Sequence, residues 1–353
     1  MPRLILAFFL SILGYGQIMS PIVAGSGGAF TLTATTVGSS KTVTITRLTL
    51  NGAATLNWGD GSTTVITSQN TGAWTHVYAT GGTYTIKLPN ARMIVGLQLS
   101  DAQLGGMNTN QLRSSSINYF YVTAITGSTI RSADMSAWRP ATWYLYSMPT
   151  GGTYTISSAD MSSWRPTTWD LYSMLTGTYT ISSSDMSAWR PTNWDLAAMP
   201  TGGTYTISSA DMSSWRPTTW YLYSMPTGTY TISSSDMSAW TTTQTLNLYA
   251  NVGQVTTINS YTNFTGLVAL HNLQLQNNAL TQAQVNAVLQ GLWTARASFT
   301  YATPSLTING TNAAPSGIYQ TNCPTPATGK EWAYDLVHET CTGGGHPWTV
   351  TTN

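Results

Sequence analysis

The sequence predicts a mainly β protein in three parts: a strand-rich N-terminal unit, a coiled array of stacked repeats, and a small α/β unit that closes the array. Three observations carry this. The phrase Ser-Ala/Ser-Asp-Met-Ser-Ala/Ser-Trp recurs five times, with its methionine at Met135, Met161, Met186, Met212 and Met237. The steps between copies are 26, 25, 26 and 25 residues, and a fixed period of this length marks a solenoid whose units bury their apolar faces only against each other. Charged residues make up 7% of the chain, and the bulk is Thr, Ser, Gly, Tyr and Trp, residues of strands and turns rather than helices.

Residues 1–24 open with Met-Pro-Arg and the apolar run Leu4–Leu13, followed by Gly14-Tyr15-Gly16. A basic start, a short apolar core and small residues describe a secretory leader. The run is too short to span a bilayer, and no integral membrane span is expected elsewhere.

Residues 25–90 read as strand, turn, strand. Phe30 to Ala34 and Thr42 to Leu50 alternate apolar and polar residues, the period of half-buried strands. Asn51-Gly52 is a hairpin signal. Trp58-Gly59-Asp60-Gly61 is followed by His76-Val77-Tyr78 and by the strand Gly82-Thr83-Tyr84-Thr85-Ile86. These paired motifs resemble the polycystic-kidney-disease (PKD) type of immunoglobulin-like β-sandwich. The resemblance implies a spacer or interaction module, with Trp58 and Tyr84 in its core and His76 in a structural role. Physically, Gly59 and Gly61 supply unusual backbone angles and Asp60 bonds turn amides. One carboxylate on such a turn does not make a metal site.

Residues 91–280 form the array, with near-identical copies over 132–240. Worn copies flank them: Tyr119 to Ile130 aligns with Trp143 to Ile156, and Leu97-Gln98-Leu99 and Leu246-Asn247-Leu248 are more divergent. Leu270, Leu273, Leu275, Asn278 and Leu280 fit Leu-x-x-Leu-x-Leu-x-x-Asn-x-Leu. This resembles the divergent leucine-rich repeats of bacterial surface antigens and some phage proteins. The resemblance implies a parallel β-solenoid in which the Asn satisfies turn backbone. The central copies depart from it, placing Trp-x-Leu where Leu-x-Leu is usual, which leaves horseshoe and flatter coil both open.

Each repeat is read as two strands. Trp143 and Leu145 point inward and Tyr144 and Tyr146 outward; a Pro-Thr-Gly-Gly turn follows; then Tyr154 and Ile156 point inward. Stacking coils about 4.8 Å apart turns identical residues into ladders. The Asp134, Asp160, Asp185, Asp211, Asp236 ladder repels itself by about 1 kcal/mol per neighbour pair if left bare. The expectation is that the Arg139, Arg165, Arg190, Arg216 ladder runs beside it or that each Asp caps turn amides, with bound calcium as the alternative.

Differences between copies fall mainly at two outward positions. The first reads Tyr144, Asp170, Asp195, Tyr221 and the second Tyr146, Tyr172, Ala197, Tyr223, while the inward Leu145, Leu171, Leu196 and Leu222 never change. Tyr144, Tyr146, Asp170, Tyr172, Asp195, Tyr221 and Tyr223 are therefore the candidate ligand-binding residues, because tyrosine offers rigid area with a polar tip. The competing reading is a solvated face free to drift.

Residues 281–353 form the cap. Thr281 to Gln284 is a capping box opening an amphipathic helix. A strand from Ser305 to Asn309, a helix from Glu331 to Glu339 and a final strand after Trp348 follow. Cys323 and Cys341, the two cysteines of the chain, read as a disulfide staple in a secreted protein. The competing reading is a zinc site with His338 and His346.

The net charge is +1, without the clustered Lys and Arg of a nucleic-acid surface. No phosphate loop, nucleophile elbow or zinc-protease motif occurs, and no cofactor is expected. Asp170 and Asp195 fall on adjacent coils, roughly 5 Å apart, which is the carboxylate spacing of a retaining glycosidase. Nothing around them supplies an acid/base context, so a glycan-degrading solenoid enzyme is a remote alternative. The function expected is non-enzymatic: adhesion or receptor recognition of a protein or glycan by an extracellular, cell-surface or virion protein. The alternative is a subunit that self-associates into a fibre or coat.

Overall fold

The computed structural model of the chain describes residues 28–67, 71–249, 257–260, 262–339 and 346–353. The expected leader at 1–24 lies outside the described residues. The chain is mainly β, with a repeated parallel sheet and a small helical C-terminal part.

Phe30–Thr36 pairs antiparallel with Gly82–Leu88, from Phe30 opposite Leu88 to Thr36 opposite Gly82. Ala54–Asn57 pairs with Thr63–Ile66, and Lys41–Ile45 with Trp74–Tyr78. Two expectations for this unit are corrected. The strand expected over 42–50 is two strands, Lys41–Ile45 and Arg47–Leu50, and they join different sheets. Asn51-Gly52 is therefore not a hairpin. It carries the chain from Arg47–Leu50, which pairs with Ile94–Leu99, to Ala54–Asn57 in the neighbouring sheet.

Around Asp60 the turn is tightly tied. Asp60 Oδ1 accepts bonds from the Ser62 amide and hydroxyl, and Oδ2 lies 2.7 Å from His76 Nε2. Burial works against its ionisation, but the bonds from Ser62 and His76 outweigh it and hold the acid at about 2. His76 stacks on buried Trp58 at 5.0 Å. A Cβ on Gly59 would meet the Thr85 carbonyl oxygen at 2.6 Å, and its φ is +91°, so only glycine fits. The buried tyrosine is Tyr78, whose hydroxyl donates to the Trp58 carbonyl. Tyr84 stacks on it from the margin rather than filling the core.

Among the described residues the long sheet has eleven strands. It runs from Arg47–Leu50 through Ile94–Leu99, Tyr119–Thr123 and the repeat strands Thr142–Tyr146, Thr168–Tyr172, Asn193–Ala197 and Thr219–Tyr223. It continues through Thr245–Asn247, Asn272–Gln274 and Ser305–Thr307 to Thr349–Thr351. Only the first strand is antiparallel to its neighbour. A second parallel sheet takes the other strand of each repeat, Thr153–Ser157, Thr178–Ser182, Thr204–Ser208 and Thr229–Ser233. Hydrogen bonding therefore crosses both expected boundaries, at 90 and at 280, without a break.

The core between the sheets is aromatic. Trp143, Trp169, Trp194 and Trp220 are paired in register and stack at 5.6, 5.7 and 5.2 Å between ring centroids. A second column, Trp164, Trp189, Trp215 and Trp240, meets the first at 59–66° and 5.6–6.1 Å. Edge-to-face contacts at this distance add to simple area burial. Tyr154 and Ile156, with their counterparts in each repeat, are buried as the alternation predicts.

The aspartate ladder is held differently from either expectation. From Asp160 on, each Asp accepts from a serine of the preceding coil: Ser132 Oγ to Asp160 at 2.5 Å, Ser158 to Asp185 at 2.6 Å, Ser183 to Asp211 at 2.5 Å and Ser209 to Asp236 at 2.6 Å, while Asp134 accepts from Thr109 Oγ1 at 3.0 Å. The same serine hydroxyls accept the amides of Ser157, Ser182, Ser208 and Ser233. Only at the first rung, Asp134, do arginines intervene, Arg113 at 2.6 Å and Arg131 at 3.4 Å. The arginine ladder instead folds back on its own turn, as where Arg139 and Arg165 donate to the carbonyls of Ser136 and Ser162.

In the C-terminal part, α1 (Gln282–Ala295) and α2 (Gly329–His338) both start with capping boxes, Thr281 with Gln284 and Thr328 with Glu331. Asn278 Nδ2 donates to the carbonyls of Leu248 and Leu275, as its place in the leucine pattern implies. Asn312 repeats the device one coil on, bonding Leu275 and Ile308. Cys323 is disulfide-bonded; the other half of the expected bridge, Cys341, lies outside the described residues.

Candidate functional site

The alternation Trp-Tyr-Leu-Tyr buries every second residue and leaves the other two half-exposed on one face of the long sheet. In-register pairing then stacks these outward residues into two columns. One runs Tyr121, Tyr144, Asp170, Asp195, Tyr221 and the other Tyr146, Tyr172, Ala197, Tyr223. Six of the seven residues singled out from the sequence line one hollow, and the seventh, Tyr221, lines a smaller one adjoining it.

The cleft has two lobes that share Tyr144, Asp170 and Asp195. The smaller, about 240 Å³, runs beside Tyr221 and is edged by Asn193 and Thr219. The larger, about 550 Å³, opens toward Tyr146, Tyr172, Tyr223 and Tyr121. Two of the rings that line it, Tyr172 and Tyr223, approach each other over Ala197, which is fully buried. The wall is braced where the hydroxyls of Tyr121 and Tyr146 share a hydrogen bond and where Thr219 donates to Asn193 at 2.8 Å.

Asp170 and Asp195 are direct cross-strand partners, so their Cα atoms lie about 4.8 Å apart. Each keeps one carboxylate oxygen, Oδ1, sheltered from water and without a hydrogen-bond partner. Among the described residues no cation forms an ion pair with either. Burial pushes Asp170 up to about 7. Burial, and then the neighbouring Asp170 charge, pushes Asp195 up to about 8. The pair holds protons near neutrality for lack of solvation. Burial also raises Tyr144 and Tyr221, with the adjacent aspartates adding to the shift.

Tyr121 was missed among the sequence candidates because it sits in a worn copy; its alignment with Tyr144 was the available signal. A separate hollow of about 480 Å³ lies in the C-terminal part, between α2 and the last strand, lined by Tyr319, Tyr334, His338 and Val350. Nothing in the sequence pointed to it. Among the described residues no group of three or more His, Cys, Asp or Glu side chains is placed to hold a metal, and no helix is long and apolar enough to cross a membrane.

The cleft can stack flat or cationic groups on tyrosine rings and offer them two acid groups. No family model, curated protein or solved structure matches the chain.

Proposed function

We propose that the chain is a non-enzymatic recognition protein of an extracellular surface or a virion, engaging a protein or glycan on a cell surface through the tyrosine–aspartate cleft. One observation carries the reading. Repeats with an unchanging core vary at the outward positions, and the variant tyrosines and aspartates line two adjoining hollows that share Tyr144, Asp170 and Asp195. Aromatic rings of limited rotamer freedom around a few polar groups suit recognition. Low charge and Thr/Ser-rich strands suit an extracellular setting.

The test is binding of the purified protein to cultured cells and to an array of immobilised glycans. Changing Tyr144, Tyr146, Tyr221 and Tyr223 together to Ala is expected to abolish binding while the core keeps its melting temperature. Unchanged binding removes this face from the reading.

A second reading, a self-assembling structural subunit, has its own support. Among the described residues Thr349–Thr351 is the last strand of the long sheet and pairs on one side only, and open edges recruit further strands. Filaments of the purified protein under the electron microscope favour that reading; monomers favour the first.

A further inference from the structure

The cleft holds two acids with which no cation among the described residues forms an ion pair. Asp170 and Asp195 stand side by side in register, each with a solvent-sheltered, unpartnered oxygen. A desolvated carboxylate is stable only with a proton or a cation beside it. The other titratable groups facing the pair are tyrosines, Tyr144 on one flanking strand, Tyr221 and Tyr223 on the other, and Tyr172 on Asp170's own strand, with the neutral Asn193, Thr168 and Thr219 at the edge. Tyr121 and Tyr146 complete the wall. Tyrosine faces attract cations through the ring quadrupole, and more strongly where water is excluded. The sheet already uses this contact once: Arg47 lies over the Tyr119 ring, 4.1 Å from its centroid. Tyr119 is two residues from Tyr121 on the same strand, and so faces the same way. A guanidinium is thus accommodated on this face by the chain itself, on a ring whose neighbouring column leads to the acid pair.

We propose that the cleft is a cation site, in which the carboxylates of Asp170 and Asp195 receive an alkylammonium or guanidinium group clasped by the surrounding tyrosine rings. This deepens the recognition reading above and rests on it. It names the chemistry of the recognised group as cationic rather than a neutral sugar. The group arrives as a Lys or Arg side chain of a partner protein or as a free amine. In the empty cleft the acids carry protons, and a bound cation displaces them to solvent.

The experiment is calorimetric titration of the full chain at pH 6 and pH 8, each in two buffers of different ionisation heat. The probes are n-butylammonium, methylguanidinium, a blocked Gly-Lys-Gly peptide, its acetyl-lysine counterpart and a neutral disaccharide. Binding of the cations is expected to tighten about ten-fold or more from pH 6 to pH 8, with protons released on binding. The acetyl-lysine peptide and the disaccharide are expected not to bind. Asp170→Asn with Asp195→Asn should abolish the cation signal. A peptide that binds much tighter than n-butylammonium identifies a protein side chain as the natural source; equal affinity identifies a free amine. Absent cation binding, binding without proton release, or cation binding unaffected by the Asn pair overturns the proposal. If the Asn pair fails to fold, the pH dependence and proton release of the unaltered protein still decide. Cell or glycan binding that survives the Asn pair but not the tyrosine substitutions sinks the cation site and leaves the recognition reading standing.

Discussion

Tyr172 and Tyr223 lie on strands two apart, yet their ring centroids approach to 6.1 Å over Ala197. Strands two apart are separated by about 10 Å, so both rings lean across the place where a tyrosine is missing. Ala197 is fully buried beneath them, so a larger side chain there must push the two rings aside, toward the larger lobe that they line. Ala197→Tyr restores the residue found at the matching position of the neighbouring repeats. It is expected to change stability by no more than about 1 kcal/mol, the scale of a cross-strand pair, while closing the larger lobe and abolishing surface binding. Thermal melting and the cell-binding assay check this together; retained binding with a filled lobe would show that the hollow is not the recognition surface.

The acid pair also makes stability depend on pH in an unusual direction. An ordinary Asp has a pKa of about 4 when unfolded, whereas burial holds Asp170 at about 7 and Asp195 at about 8 in the folded chain. Between these values the folded state binds more protons than the unfolded one, so stability falls as pH rises. The contribution is complete below about pH 4 and is lost as the pH rises through about 8. Asn at both positions is expected to flatten the profile and to leave the variant more stable than the parent at pH 9. Urea unfolding at pH 5 and pH 9 reads the difference, and a parent protein equally stable at both would contradict it.

Much of this architecture is visible in the sequence because a solenoid repeats its physics. Trp-x-Leu against Tyr-x-Tyr fixes which side is core, and in-register stacking then makes columns of the outward positions. What stays hidden needs distances between coils. The Ser132-to-Asp160 bond joins residues 28 apart, more than one repeat, so no local motif contains it. Arg47–Leu50 looks like the continuation of the strand before it and joins the solenoid instead, since local alternation cannot say which sheet a strand enters. The second asparagine, Asn312, lies outside any leucine pattern and was not read as a rung. Asp170 and Asp195 are legible as outward and adjacent; that burial raises both acids is not, because it depends on the side chains of neighbouring coils.

The serine–aspartate relay gives the remaining test, at a site remote from the cleft. Ser183 Oγ donates to Asp211 at 2.5 Å and accepts the Ser208 amide at 2.8 Å, so one hydroxyl satisfies a carboxylate and a main-chain donor of the next coil. Ser183→Ala orphans both groups and is expected to cost about 2–4 kcal/mol, the penalty for unsatisfied buried polar atoms. Asp211→Asn keeps an acceptor and is expected to cost about 1 kcal/mol. The double variant should cost less than the sum of the two, because the second change removes a charge already stranded by the first; a coupling of about 1 kcal/mol or more is expected. Calcium on the same ladder predicts another pattern: chelation would lower the melting temperature, and Asp211→Asn would cost more than Ser183→Ala. Guanidinium unfolding of the three variants, with and without chelator, separates the two. Coupling with no chelator effect places the hydroxyl relay, rather than a metal, between the aspartates.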